Sequence, residues 1–592
     1  MNKFDKCYPS EISMKSLFLG PKAENIAWLL EQMVSLTNEY SLWRKKLYPN
    51  DGAAISHFDQ SLSAFTTKQA LVKKNLLNIT KRYEKEVPQF SPRYIGHMFS
   101  EVNLPAVLGH FLSLLHNPNI ISHESAKVGI EIENEAVIML NRMIGYRGNC
   151  GHFTSGGTVA NFESLVRSKE RIYWWALMLA VEKKLYQTQA NLWQASTLGW
   201  DRFYRLMKDK KIARQFEQGL VQLKSHEQKK SFFADIFNVK ENDPVVLIPN
   251  HKHYSWIKGC ALIGLNESQI IELELDETGK IHTKKFELLL EKLKNESRPI
   301  QQIVAVLGTT ELGFVDPVHR LISILKTHQL ENAWLHVDAA YGGFFASLKR
   351  DKKIFSPETF KALNSLKHTT SLTIDPHKMA YVPYASGTFL CSDKNNYYLQ
   401  SFFGPYVAFN QKTDRGPFTL EGSRSATGVT AMWMTAKSMP LNQNGLGRII
   451  KRTLRTKKDI EILLKRKLPM VRLAPDTDLN ILCFCVASQD DSLSAINKKT
   501  SRVLKYFEKN KEPIFIFSQT KLQFKKYGSY MEKLAAQWGG LGKIKPNEDL
   551  LLVRITLMNP FFDSKEFHVN FKLELVKQIE KSISLVINAK NK

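Results

Sequence analysis

Six short β-branched or apolar runs, Val245–Ile248, Ile270–Leu275, Ile303–Leu307, Trp334–Val337, Ser371–Ile374 and Gly387–Cys391, alternate with helical stretches. Strands interleaved with helices predict an α/β layer with a largely parallel sheet. Such sheets bind ligands beyond the carboxyl ends of their strands, so the polar residues that follow each run are the first candidates for chemistry. The flanks read differently. Residues 1 to about 120 are mainly helical: Asn25–Thr37 and Thr67–Tyr83 carry apolar residues at three- and four-residue steps, as an arm that must pack on something. A helix is expected over Ser125–Ile144, then a Gly-rich loop, then a second helix opening near Val159. Residues 165–240 are long, basic and helical, with no role the residues themselves suggest. After about 435 the chain is helical and basic, then mixed at Leu479–Ala487 and Leu550–Leu557, which predicts a smaller α+β unit. With 592 residues the chain exceeds one compact core. The expected division is a helical arm over 1–120, a large domain over 121–435 and a small C-terminal domain over 436–592.

Composition excludes several classes. The net charge of +26 raises the question of nucleic acid. The basic residues are scattered, however, and no stacking motif, zinc-finger spacing or basic zipper accompanies them. A solvated basic surface that attracts anionic small molecules is the better reading, with no specific nucleic-acid partner. The longest apolar run, Ile172–Val181, falls far short of the roughly 20 residues needed to cross a bilayer. The N-terminus has no sustained apolar segment, so a cytoplasmic protein with no membrane partner is expected. Six cysteines without a C-x-x-C pair form neither a disulfide framework nor a metal site.

Five clusters carry the chemistry. GHFTSGGTVAN, Gly151–Asn161, puts glycines and hydroxyls at a helix start, where free N–H groups bind phosphate. NHKHYSWIKGC, Asn250–Cys260, follows a strand; its His251 and His253 have no local carboxylate or cysteine to join them, and no metal centre is expected. VLGTTELGFVDPV, Val306–Val318, runs from a strand into Gly308-Thr309-Thr310. WLHVDAAYGGFF, Trp334–Phe345, ends a strand on Asp338 beside small residues, which leaves room for something flat. SLTIDPHKMAYVPY, Ser371–Tyr384, places Lys378 at a strand end among apolar residues. A buried lysine ammonium is costly, whereas an amine that becomes an imine avoids that cost. Phosphate cradle, flat-ligand histidine, buried aspartate and buried lysine together fit pyridoxal phosphate: the lysine forms the Schiff base and the aspartate keeps the pyridine nitrogen protonated.

HYSWIKGC, HVDAAYGG and DPHKMAYVPY, in that order and spacing, resemble the pyridoxal-phosphate-dependent group II amino-acid decarboxylases of fold type I. SPRYIGHMFSEVNLP, GHFTSGGTVAN and FTLEGSRSATG are most similar to the bacterial tyrosine decarboxylase branch. The resemblance implies a mainly parallel seven-stranded sheet in the large domain, the helical arm and the small α+β domain. It implies that Lys378 forms the imine, Asp338 pairs with the pyridine nitrogen, His253 stacks on one ring face and Ala340 packs on the other. Ser155, Gly156, Gly157 and Thr158 would hold the phosphate with His377 nearby, and Thr310 would sit by the cofactor's phenolic oxygen. Tyr406, on a loop that reaches across a dimer interface in the family, would supply a proton, and His97 would lie near the substrate. Arg424 stands where the branch often has lysine and receives no role. The expected activity is decarboxylation of an L-amino acid, tyrosine or another aromatic one, by a homodimer. Decarboxylation of glutamate or another L-amino acid, or a different fold-type-I lyase or aminotransferase, is the alternative.

Overall fold

The computed structural model describes residues 11–239, 243–401, 409–410, 413–489, 491–508, 514–538 and 547–588, and the structure is read from these. Seven strands form the first sheet: β1 (Cys150–Thr154), β2 (Val245–Pro249), β3 (Ile270–Leu273), β4 (Ile300–Val306), β5 (Leu335–Asp338), β6 (Ser371–Ile374) and β7 (Gly387–Cys391). Their order is β1-β7-β6-β5-β4-β2-β3. Every neighbouring pair is parallel except the two that β7 makes with β6 and β1. The mainly parallel α/β layer expected from the sequence is therefore the fold. Strands β2, β4, β5 and β6 are buried along their whole length, as parallel strands covered on both faces must be.

One expectation is corrected. Residues 150–154 are strand β1, not part of a Gly-rich loop, and the following helix opens at Gly157 rather than near Val159. The tertiary partner decides this: Gly151 pairs with Leu390 of β7 in a backbone conformation of φ +151°. A Cβ there would lie 2.6 Å from the carbonyl oxygen of Phe389. Glycine reads locally as a loop, yet here it permits close approach of two strands.

Helices cover the sheet. The arm carries α1 (Ile26–Lys46) and α2 (Ser63–Tyr83); α3 spans Lys127–Ile144, α4 Gly157–Tyr186 and α5 Leu446–Lys467. In α3 the buried Ile130, Val137, Leu140 and Ile144 recur on one face, and Gly145 ends the helix at φ 104°. The 165–240 region builds its own aromatic core on the distal part of α4, with Phe203 and Phe216 at 5.4 Å and Trp174 edge-on to Phe216 at 6.0 Å. In α1 the buried residue is Leu29, and α2 has none; Trp28 is 45% and Leu76 59% exposed.

The second sheet, β8 (Val471–Leu473), β9 (Ile481–Val486), β10 (Ser518–Leu522) and β11 (Leu550–Thr556), is antiparallel in the order β10-β11-β9-β8. Its strands alternate strictly between faces. Ile481 and Cys483 of β9 and Leu550 and Leu552 of β11 join the core of the first sheet. Leu482, Phe484, Leu551, Val553 and Ile555 join a second core under α5. The same alternation turns Arg554 towards the first sheet.

Arg424, which the sequence left without a role, is a buried structural cation. Its guanidinium bridges Glu133 of α3 through both nitrogens and donates to the Phe153 carbonyl of β1 at 2.9 Å. Arg424→Gln leaves the Glu133 carboxylate buried without its cation, a loss of about 3–5 kcal/mol. The expected outcome is a markedly lower midpoint in urea or thermal unfolding of the purified protein.

Candidate active site

The carboxyl ends of β2, β4, β5 and β6 and the start of α4 surround one cavity of about 330 Å³. Its walls include Ser155, Gly156, Gly157 and Thr158 from the β1–α4 junction, and His253, Thr310, Asp338, Ala340, His377 and Lys378 from the strand ends. Ten residues singled out in the sequence, from more than two hundred positions apart to adjacent, thus meet in one place. Two do not. Tyr406 lies outside the described residues. His97 is exposed and does not line the cavity; its Nδ1 lies 2.8 Å from Arg554 Nη2, and Arg554 donates to the Thr310 carbonyl at 2.5 Å.

Asp338 ends β5 with its carboxylate fixed. Oδ2 accepts from Asn161 Nδ2 at 2.9 Å and from the Trp256 indole N–H at 3.0 Å. Oδ1 receives one long bond, from the Ala340 N–H at 3.3 Å. Behind Asn161 stands His336, whose Nδ1 lies 2.8 Å from Ser371 Oγ and whose Nε2 lies 3.3 Å from Asn161 Oδ1. Burial pushes the His336 pKa down to about 3, with Asp338 opposing. This imidazole is neutral at any working pH.

Lys378 Nζ lies 3.1 Å from Asp375 Oδ2, and His377 Nε2 lies 3.4 Å from the same oxygen. Burial alone would raise the Asp375 pKa, but the Lys378 ammonium and then His377 hold it below the usual carboxylate value. Asp375 Oδ1 is buried and has no hydrogen-bond partner among the described residues. His253 accepts the Ser255 N–H at Nδ1 (3.3 Å), which leaves the proton of the neutral ring on Nε2. Burial lowers its pKa, Asp338 opposes that, and Lys378 adds to it. Its sequence neighbour His251 turns away to Asp316, 3.0 Å from Nε2, so the two histidines do not converge on one point.

The residues fit pyridoxal phosphate. One oxygen of Asp338 is anchored while the other is left with one long bond at the cavity wall, as a pyridinium partner requires. A Cβ at Gly157 would come within 2.9 Å of Asp375 Oδ2 and 3.1 Å of Ala340 Cβ, so the helix start approaches the opposite wall as closely as bare backbone permits. The first N–H groups of α4 have no intrahelical acceptor and favour a phosphate. The Ser155 N–H, by contrast, donates to Glu421 Oε2 at 3.1 Å.

Residues 222–487 match the family model described as the pyridoxal-dependent decarboxylase conserved domain. These residues carry a pyridoxal-dependent decarboxylase domain, and the activity it supports is that of a pyridoxal-phosphate-dependent amino-acid decarboxylase. Among its relatives, it is 26% identical to L-tyrosine decarboxylase of Levilactobacillus brevis over 98% of both chains, and 25% identical to L-tyrosine decarboxylase of Enterococcus faecalis over 95% of this chain and 96% of that one. Its fold matches the Oryza sativa TDC structure with PLP and tryptamine (TM-score 0.61, 14% identity, 95% and 98% coverage). It also matches mouse CSAD in apo form (TM-score 0.60, 16% identity, 94% and 98% coverage).

Sequence reasoning missed Asn161, Trp256, His336 and Arg554. The first three were inside quoted motifs, Asn161 and Trp256 with no chemistry by type and His336 passed over beside Asp338. Arg554 did leave a signal, a lone cation in the apolar run LLLVRIT.

The buried neutral histidine has a measurable consequence. Between about pH 3 and 6.5 the unfolded chain binds a proton at His336 that the folded chain does not, so stability rises with pH across that window and levels off above it. His152, His253 and His319, also shifted down chiefly by burial, act in the same direction. Going from pH 7 to pH 5 is expected to lower unfolding free energy by roughly 2 kcal/mol from His336 alone. Urea midpoints at the two pH values, compared with those of His336→Asn, check this.

Proposed function

We propose that this chain decarboxylates an aromatic L-amino acid, L-tyrosine foremost, as a cytoplasmic homodimer. The observation that carries the site assignment is the convergence of the Lys378 amine, the oriented Asp338 carboxylate and His253 on one cavity. The tyrosine reading rests on near-full-length similarity to two L-tyrosine decarboxylases. The cavity rim supports it: Met98 and Tyr384 line the cavity, Tyr384 stacks on His377 at 4.0 Å, and Tyr94 stacks on Phe99 at 5.2 Å close by.

When bound, pyridoxal phosphate supplies an aldehyde for the lysine imine and a protonated ring that takes up the electrons of the breaking bond. The chain does the rest. Lys378 gives its amine, and Asp375 and His377 hold that amine at the strand end. Asp338 keeps the proton on the ring nitrogen, with Asn161 and Trp256 fixing its angle. The N–H groups of Gly157 and Thr158 and the hydroxyls of Ser155 and Thr158 hold the phosphate. His253 and Ala340, which both line the cavity, would hold the ring between them. Arg554 is 5% exposed, and its hydrogen-bond partners Ser518, Thr310 and His97 are all uncharged oxygens or an imidazole. We take its positive charge as the attraction for the substrate carboxylate, since its guanidinium holds the carbonyl of Thr310 on the cavity wall. Fixing that group relative to the ring plane selects which bond at Cα breaks. His253 Nε2, or the Tyr406 hydroxyl, returns a proton to Cα.

The homodimer reading is supported by the arm. Two 21-residue helices, α1 and α2, with one buried side chain between them present an apolar surface that water does not favour.

Adding pyridoxal phosphate to the purified protein is expected to give a visible imine band. Screening the twenty amino acids for CO2 release should show tyrosine as the fastest substrate. Lys378→Ala should lose both the borohydride-trapped imine on this residue and all turnover. A colourless wild-type protein at saturating cofactor overturns the site, and preferred release from glutamate overturns the substrate. Arg554→Gln should raise KM about tenfold while kcat changes less, since it removes carboxylate binding rather than the electron sink; steady-state kinetics separate the two.

A further inference from the structure

A second cavity, of about 470 Å³, lies away from the Lys378 site, between the N-terminal segment, helix α5 and the residues that follow β11. Its size is that of a small-molecule site. Six cations line it: Lys15, Arg448, Lys451, Arg452, Arg455 and Lys565. Asp563 is the carboxylate on its wall. Asp563 is bridged at 2.7 Å to Lys572, Asp351 pairs with Lys451 at 2.5 Å, and Glu566 pairs with Lys15. The lining itself thus carries six cations and one carboxylate. Its floor is apolar, with Met14, Phe18, Ile449 and Phe561.

The arrangement follows from helical spacing. Arg448, Arg452 and Arg455 are four and three residues apart and share one face of α5 with Lys451, while Ile450 and Leu454 turn into the core. From Arg448 to Arg455 the helix rises about 10 Å. That row of forked donors matches a chain of phosphoryl groups better than a single carboxylate, because guanidinium binds phosphate oxygens in pairs. The apolar floor beside it suits a flat or apolar group attached to that chain.

We propose that this cleft is a binding site for an oligophosphate, with nucleoside triphosphates as the ligand class that uses both the cationic row and the apolar floor. The floor reaches the lysine segment: Phe18 packs edge-on against Phe561 at 5.9 Å and against Tyr381 at 5.6 Å, three residues from Lys378. Occupancy of the cleft therefore clamps the N-terminal segment onto the element that carries the imine lysine.

The test uses the full chain loaded with pyridoxal phosphate, so that the cofactor's phosphate cradle is already filled. Titration calorimetry with ATP and, separately, with inorganic tripolyphosphate is expected to show saturable one-to-one binding that weakens as salt is raised. Tighter binding of ATP assigns the floor to the nucleoside, and equal binding assigns the site to the phosphate chain; both sustain an oligophosphate site. The R448Q/R452Q variant should bind about tenfold more weakly while keeping the imine absorbance. K565Q, an exposed change on the opposite wall that leaves the helix untouched, should weaken binding in the same direction. No saturable heat at millimolar ligand, or K565Q and R448Q/R452Q both binding as the unaltered protein does, overturns the proposal.

Discussion

A carboxylate held at the end of a buried parallel strand organises the whole site. Asp338 is 6% exposed, and a charge in that position demands donors. Asn161 from the first turn of α4 and Trp256 from the helix after β2 provide them, each on the same oxygen. Two helices on different connections are thereby tied to one atom of β5. The other oxygen is left with a single long bond, and the neutral His336 and Thr373 fix Asn161 from behind. The cost of burying the charge is met by groups that also set its direction.

Around that point the sheet supplies position and the glycines supply proximity. Lys378 and His377 follow β6, Ala340 follows β5, His253 follows β2 and Thr310 follows β4. Parallel strands release all these loops on one edge, so residues far apart in the chain arrive together. Gly156, Gly157 and Gly387 let β7 and the start of α4 close in: a Cβ on Gly387 would lie 2.4 Å from the Gly156 Cα. The second sheet then adds a residue from the far end of the chain. Arg554 reaches Thr310 because β11 alternates its side chains and this one falls on the inner face.

Much of this was legible in advance, and the reasons differ by element. The strand runs 371–374 and 387–391 coincide with β6 and β7, because short β-branched segments bounded by polar turns leave little choice. The ten residues that line the cavity fell within quoted motifs, although the expected roles of Thr310, Ala340 and His377 came from the resemblance and not from residue type. The strand 150–154 was not legible, since its Gly151 reads as a turn and its pairing partner lies more than two hundred residues away. Strands β8 and β10 were missed for a related reason: three and five residues with mixed polarity carry no local period of their own. Arg424 could be seen as a departure from a pattern, but its partner Glu133 sits on a helix nearly three hundred positions upstream.

The order of polar clusters along the chain determined the cofactor, because an imine-forming lysine, a strand-end aspartate and a Gly-Gly helix start make sense together for one ligand; the class of reaction came from the resemblance of whole motifs. Tertiary structure alone decided which oxygen of Asp338 is bound, which carbonyl Arg554 holds and which carboxylate Arg424 meets. Those are matters of ångström-scale contact between segments that share no local sequence. Periodicity places a side chain on a face, but the neighbour across that face fixes its charge and its hydrogen bonds.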